Sequence, residues 1–169
     1  MAQRAHPPQA ARIAELRREL GLQPHPEGGS FRELFRSGAR VSTGDGRGGR
    51  SALTTIDFLL AAGEHSAWHR VASDEVWHLL EGGPLQLQLL SPALDRLDEV
   101  VLAPVGGGRA PRHVVPAGWW QAAEPLGPLA YVGATVGPGF EFADFVLGRD
   151  VPALRDTLAT RWPALQRLL

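Results

Sequence analysis

Between residues 31 and 148 the chain is cut into short apolar runs, each closed by a turn. The runs fall at 31–36, 52–60, 67–70, 76–80, 85–90, 98–102, 113–115, 120–122 and 129–136. Leu85, Leu87 and Leu89 alternate with Gln86 and Gln88, the period of a strand with one buried face. Nine such strands predict an antiparallel sandwich or barrel. With 20 Gly and 14 Pro in 169 residues, breakers are too frequent for a helical bundle. Helical spacing occurs only at the ends. Ile13, Leu16 and Leu20 share a face over 9–20, and Gly21 stops the pattern. In the tail Asp150 is a cap, Pro152 suits a first turn, Leu154 and Leu158 share a face, and Pro163 interrupts. The expected fold is all-β with short N-terminal and C-terminal helices, in one domain over 9–169 behind a disordered 1–8. The glycine-rich stretches at 44–49 and 106–108 read as solvated hairpin loops; neither joins a strand to a helix, as phosphate binding requires.

The missing residue types narrow the chemistry. There is no Cys, hence no thiolate nucleophile, cysteine zinc site or redox pair. All 17 basic side chains are Arg, which excludes a Schiff-base or P-loop lysine. A net charge of −1 provides no basic excess for nucleic acid or an anionic membrane. No run approaches the ~20 apolar residues of a membrane span. The first ten residues lack the apolar core of a signal peptide, so the cytoplasm is the expected compartment.

Residues 63–78 are the richest in chemistry. They hold His65, His69 and His78, three of the six histidines, with Trp68, Trp77, Asp74 and Glu75. Imidazole and carboxylate are equally metal ligands and an acid–base pair. Scattered histidines are ordinarily solvated hairpin residues, but this density favours a site.

Here the sequence resembles the cupin superfamily. Gly63, five residues, His69-Arg70-Val71, three residues, Glu75, six residues and Gly82 reproduce the spacing of its first motif, with Val71 in place of the second histidine. Pro116-Ala117-Gly118-Trp119-Trp120-Gln121 keeps the frame of the second motif, with Gln121 in place of its histidine. Pro125 stands where that motif has Asn, and Ala110 where it has Gly. The segments at 22–29, 66–78, 115–120 and 136–145 are more closely similar to the fifth cupin family, long labelled a domain of unknown function. The resemblance covers about residues 10–169 and implies a double-stranded β-helix, or cupin jelly roll, paired as a homodimer. It implies no agreed reaction; dTDP-sugar epimerases and sugar-phosphate isomerases of the superfamily are analogies of fold.

The resemblance also maps the superfamily's metal ligands onto His69, Val71, Glu75 and Gln121. Val cannot ligate and a neutral amide oxygen is a poor transition-metal ligand, so no metal or cofactor is assigned. His65 is the imidazole able to swing in from the loop. His78 falls on the opposite face by alternation. The preferred reading is a small-molecule pocket for a sugar, sugar nucleotide or other carbonyl metabolite. Its chemistry would be metal-independent isomerisation or epimerisation, with His69 as base, Glu75 holding its tautomer and raising its basicity, and Tyr131 as the acid. Trp77, which shares a face with Glu75, forms a pocket wall; Gln121, His65, Trp68, Trp120 and Arg70 are further ligand contacts. A metal-dependent oxygenase or isomerase and a non-catalytic binding module are the alternatives. The bland readings are a hydrogen-bonded polar cluster for His69, Glu75 and Gln121, core packing for the tryptophans and Tyr131, and surface pairs for the arginines. His25 and Glu27, between a stiff Pro24-Pro26 frame and permissive Gly28-Gly29, either close a pocket mouth or merely lead into the first strand.

Overall fold

The computed structural model describes residues 9–169; the disorder expected over 1–8 lies outside the described residues. The elements are α1 (Gln9–Glu19), β1 (Gln23–Pro24), β2 (Ser30–Arg36), β3 (Arg40–Ser42), β4 (Gly49–Ser51), β5 (Thr54–Ala61), β6 (Ser66–Val71), β7 (Asp74–Gly82), β8 (Leu85–Leu90), β9 (Leu97–Leu102), β10 (Arg112–Val115), β11 (Trp120–Pro125), β12 (Leu129–Gly137), β13 (Phe145–Leu147) and α2 (Pro152–Arg161). All nine expected strands are present. Four short ones (β1, β3, β4 and β13) carry too few apolar residues to stand out in the sequence. The 44–49 loop joins the β3–β4 hairpin, as expected.

Two antiparallel sheets face one another. One has the order β1-β2-β5-β12-β7-β10, the other β13-β6-β11-β8-β9. Neighbours in space are distant in sequence, which is the winding of a jelly roll. Inward-facing residues follow strand parity. Phe58, Leu60, Leu85, Leu87, Leu102 and Val132 fill one end of the space between the sheets. At the other end the inward positions include Thr54, Val71, Ala134 and Val136, whose short side chains leave it hollow.

Each outer face has its own cover. Helix α1 lays Leu16, with Ile13 and Leu20, over Leu59 and Leu129. Helix α2 and the 3₁₀ turn at Pro163–Leu168 lay Leu154, Leu158 and Leu168 over Trp68, Trp120 and Leu90. Three fully buried leucines plus two indoles make this contact worth several kcal/mol, at ~1.5–3 kcal/mol per side chain. Asp150 does not cap α2: the N-cap is Val151, without a side-chain hydrogen bond, and Asp150 ends a preceding 3₁₀ turn. Pro152 supplies the first-turn geometry instead.

Candidate functional site

The hollow end is a cavity of about 90 Å³ that opens to solvent at its mouth. His69 enters it from β6 and Glu75 from β7, on opposite sheets, and both side chains are buried. His69 Nδ1 lies 2.8 Å from the Ala67 carbonyl oxygen. A carbonyl only accepts, so Nδ1 carries the proton and Nε2 keeps its lone pair. Glu75 is held from behind: Trp77 Nε1 donates to Gln121 Oε1 at 2.9 Å, and Gln121 Nε2 donates to Glu75 Oε2 at 2.5 Å. Because an indole N–H can only donate, it fixes which way the Gln121 amide points.

The loop before β2 supplies the residues that the sequence left open. His25 and Glu27 both reach the cavity and are buried. Glu27 Oε1 accepts from Ser66 Oγ at 2.8 Å. Glu27 Oε2 lies 3.4 Å from His69 Nε2 and 3.5 Å from His25 Nδ1. That His25 nitrogen accepts the Glu27 backbone N–H at 3.2 Å, which occupies its single lone pair and marks it as unprotonated. An ionised Oε2 would therefore face the free lone pair of His69 Nε2 and a second imidazole nitrogen that has no proton to offer. A proton on it removes that repulsion, and burial independently pushes the Glu27 carboxyl up to about 8. The backbone holds this arrangement closely: a Cβ on Gly28, at φ +108°, would collide with the His65 carbonyl oxygen.

Burial raises Glu75 to about 7, opposed by the neighbouring His69. Burial, reinforced by the nearby His69, lowers His25 to about 4. His69 is lowered as well, by burial, which outweighs the opposing pull of Glu75. This corrects two sequence expectations. The His69 tautomer is held by a backbone carbonyl rather than a carboxylate, and its basicity is reduced rather than raised. At neutral pH the cavity floor combines a neutral imidazole with two carboxyls poised near their titration points.

Several expected contacts lie elsewhere. Tyr131 is on the outer face of the six-stranded sheet beneath α1 and donates to Asp57 Oδ1 at 2.8 Å. It does not face His69, so it is not placed to be the acid. Trp68 donates to the Leu165 carbonyl at 3.1 Å within the outer core. Trp120 lies in the same core, and the Arg70 guanidinium stacks on it at 4.8 Å. Neither tryptophan nor Arg70 lines the cavity. Parity carries this in the sequence: Trp68 and Arg70 flank His69, and Trp120 precedes Gln121, so each points the opposite way. His65 borders a separate open dent on the outside, shared with His25, Glu27 and Arg149, and does not line the cavity itself. Trp77 does form a wall, in edge contact with Phe58 at 6.0 Å. Phe140, Phe142 and Phe145 frame the cavity beside it.

The residues present do not fit the metal customary in this fold. Val71 has no donor atom, and the Gln121 carbonyl oxygen already accepts the Trp77 indole. Among the described residues no group of three or more His, Cys, Asp or Glu is arranged to hold a metal ion.

Two antiparallel sheets wound as a jelly roll, with a histidine and a glutamate directed into the hollow between them, define a cupin double-stranded β-helix. The family model described as Cupin superfamily (DUF985) matches residues 14–148, and the chain belongs to that family. A hypothetical protein from Leishmania major is similar over 92% of this chain and 94% of its own, with 28% identity and a TM-score of 0.77. A protein from Shewanella oneidensis matches over 91% and 92%, with 29% identity and a TM-score of 0.74. The capsular polysaccharide assembling protein CapF from Staphylococcus aureus matches 75% of this chain, over 31% of its own, at 16% identity and a TM-score of 0.54, a likeness of fold alone. A search of curated proteins gives no match. No helix among the described residues is long and apolar enough to cross a membrane.

Proposed function

We propose that the cavity binds a small carbonyl metabolite and moves a proton at the carbon beside the carbonyl, without a metal, as an isomerase or epimerase. The observation that carries this reading is the buried Glu27 carboxyl set beside the free lone pair of His69 Nε2 and the unprotonated His25 Nδ1 in a largely apolar hollow. His69 Nε2 takes the carbon-bound proton. The C–H electron pair becomes the C=C bond of an enol while the carbonyl oxygen takes the proton from Glu27. Return of a proton to the other face, or to the neighbouring carbon, gives the epimer or the isomer. Glu75 as a carboxylate stabilises the imidazolium formed on His69, and Gln121 and Trp77 hold it in position. Glu27 thus takes the acid role that the sequence assigned to Tyr131. The Glu27 carboxyl, pushed up to about 8, lies near the working pH, which suits such a transfer, worth roughly 10²–10⁴ in rate.

Deuterium wash-in tests this. Protein prepared without a histidine tag and treated with a chelator is expected to carry deuterium from D₂O into enolisable ketones. His69→Ala and Glu27→Gln should each lose about 10²-fold or more. His113→Ala, outside the cavity, should not. Stoichiometric iron, manganese, nickel or zinc in untreated protein, with exchange abolished by chelation, would overturn the reading.

We further propose a homodimer through the uncovered part of the six-stranded sheet, where Phe35, Leu80 and Val114 are 51%, 56% and 53% exposed. Light scattering should give about twice the 18.2 kDa chain mass.

A further inference from the structure

The cavity walls say what kind of carbonyl compound fits, provided the proton-transfer reading of its floor holds. Six aromatic rings, those of Phe31, Phe58, Trp77, Phe140, Phe142 and Phe145, surround the space. The Trp77 N–H is committed to Gln121, and the Thr54 hydroxyl oxygen takes the Phe140 N–H at 2.9 Å. Apart from the Thr54 hydroxyl, which can still donate its proton, hydrogen-bonding side chains gather at the floor, around Glu27, His69 and Glu75, and at the mouth. A polyol in this space would leave hydroxyls facing hydrocarbon, at about 1–3 kcal/mol for each lost partner. The walls accept an apolar body and the floor accepts one polar group.

Charge sharpens the choice. Among the described residues Arg36 is the one cation lining the cavity. Its Nε and Nη2 grip Glu33 at 3.0 and 2.8 Å, Nη1 grips Glu141 at 2.8 Å, and Nη2 also donates to the Phe140 carbonyl at 3.0 Å. Every nitrogen of that guanidinium is engaged, and two carboxylates face one cation at the mouth. Nothing in the lining offers a free positive group to a phosphate or carboxylate, which ordinarily requires an unpaired Arg, Lys or helix terminus. Glu27 and Glu75 at the floor add negative charge whenever they ionise.

We infer that the ligand is an uncharged, flat, apolar-bodied carbonyl compound, such as an aryl or conjugated ketone or aldehyde, and not a sugar phosphate or sugar nucleotide. This departs from the sugar-like ligand that the sequence favoured; the family's fold analogies suggested sugars, whereas the rings and the saturated Arg36 oppose them.

Calorimetric titration with three probes decides it. Phenylacetone is the uncharged probe, phenylpyruvate adds a carboxylate to a similar body, and dTDP-glucose is the nucleotide sugar. Phenylacetone is expected to bind at least tenfold more tightly than phenylpyruvate, with no measurable heat from dTDP-glucose. In a Glu33→Gln/Glu141→Gln variant, which frees Arg36, the preference should narrow about tenfold. Tighter binding of either anion, or of the ammonium compound 1-phenylpropan-2-amine, would overturn the inference. Deuterium wash-in on the same samples separates it from the reading it rests on. Phenylacetone bound without exchange supports the ligand class and defeats the proton transfer. Exchange in a sugar phosphate without phenylacetone binding defeats the ligand class and leaves the proton transfer standing.

Discussion

Asp57 and Glu27 are both buried carboxyl groups, and they are treated in opposite ways. Asp57, on the outer face of the six-stranded sheet, accepts from Tyr131 at 2.8 Å and from Arg32 at 2.5 Å. Both of its oxygens are engaged, one of them by a cation. Glu27, inside the hollow, has a serine hydroxyl and two unprotonated imidazole nitrogens beside it, and no cation among the described residues. Glu75 nearby has only the Gln121 amide. A buried charge with its counter-charge is a structural solution. A buried carboxyl left without one keeps its proton to neutral pH, and a folded chain retains such a group at a cost to its own stability. The outer cluster fastens α1 and β2 to the sheet; the inner pair is where chemistry is available.

The contrast can be broken most forcefully at Asp57. Asp57→Ala leaves a guanidinium and a phenol beside a buried gap and should destabilise by about 3 kcal/mol, read as a fall in the urea midpoint. Glu27→Gln, removing a carboxyl equally buried, should leave the midpoint unchanged or higher at pH 8.

The pH profile of stability sharpens the same contrast. A carboxyl raised from 4.5 to about 8 holds its proton longer in the native state, so stability falls as pH climbs between those values. Glu75, raised from 4.5 to about 7, acts in the same direction. An imidazole lowered from 6.5 to about 4 acts in reverse, with stability falling as pH drops between those values. Between about 4.5 and 6.5 the two carboxyls are opposed by His25 and by His69, which burial also lowers; above 6.5 the carboxyls act alone and stability declines, and below 4.5 the imidazoles act alone and it declines again. From pH 6.5 to 8 the loss attributable to Glu27 is about 2 kcal/mol. In Glu27→Gln the alkaline decline should shrink while the acid decline persists. An unchanged alkaline limb would mean that Glu27 is ionised in the native protein.

The smallest effect belongs to Tyr131. Tyr131→Phe removes one hydrogen bond to Asp57, worth about 1 kcal/mol, and should leave phenylacetone binding untouched. Loss of deuterium exchange in that variant would return Tyr131 to the acid role.

Much of this was legible in the chain. Apolar alternation located the long strands, and motif spacing brought His69, Glu75, Gln121 and Trp77 together. Parity also orients Tyr131. Val132, Ala134 and Val136 alternate with Tyr131, Gly133 and Thr135, which already turns Tyr131 away from the hollow.

The alternation of the sequence by itself determined nine strands of an antiparallel sandwich or barrel and its two flanking helices, because a period of two is a local property of the chain; the jelly roll was implied by the resemblance of its motifs to the cupins. Only the tertiary structure decided that His25 and Glu27 complete the floor, that three late phenylalanines frame the cavity instead of filling it, and that Arg36 is already bound by two carboxylates. Those outcomes depend on where a loop closes over the end of the sandwich and on which charges meet across more than a hundred residues, as Arg36 and Glu141 do. Burial then set the proton affinities of Glu27, Glu75 and His25, and burial is created by the assembled fold rather than by any segment of it.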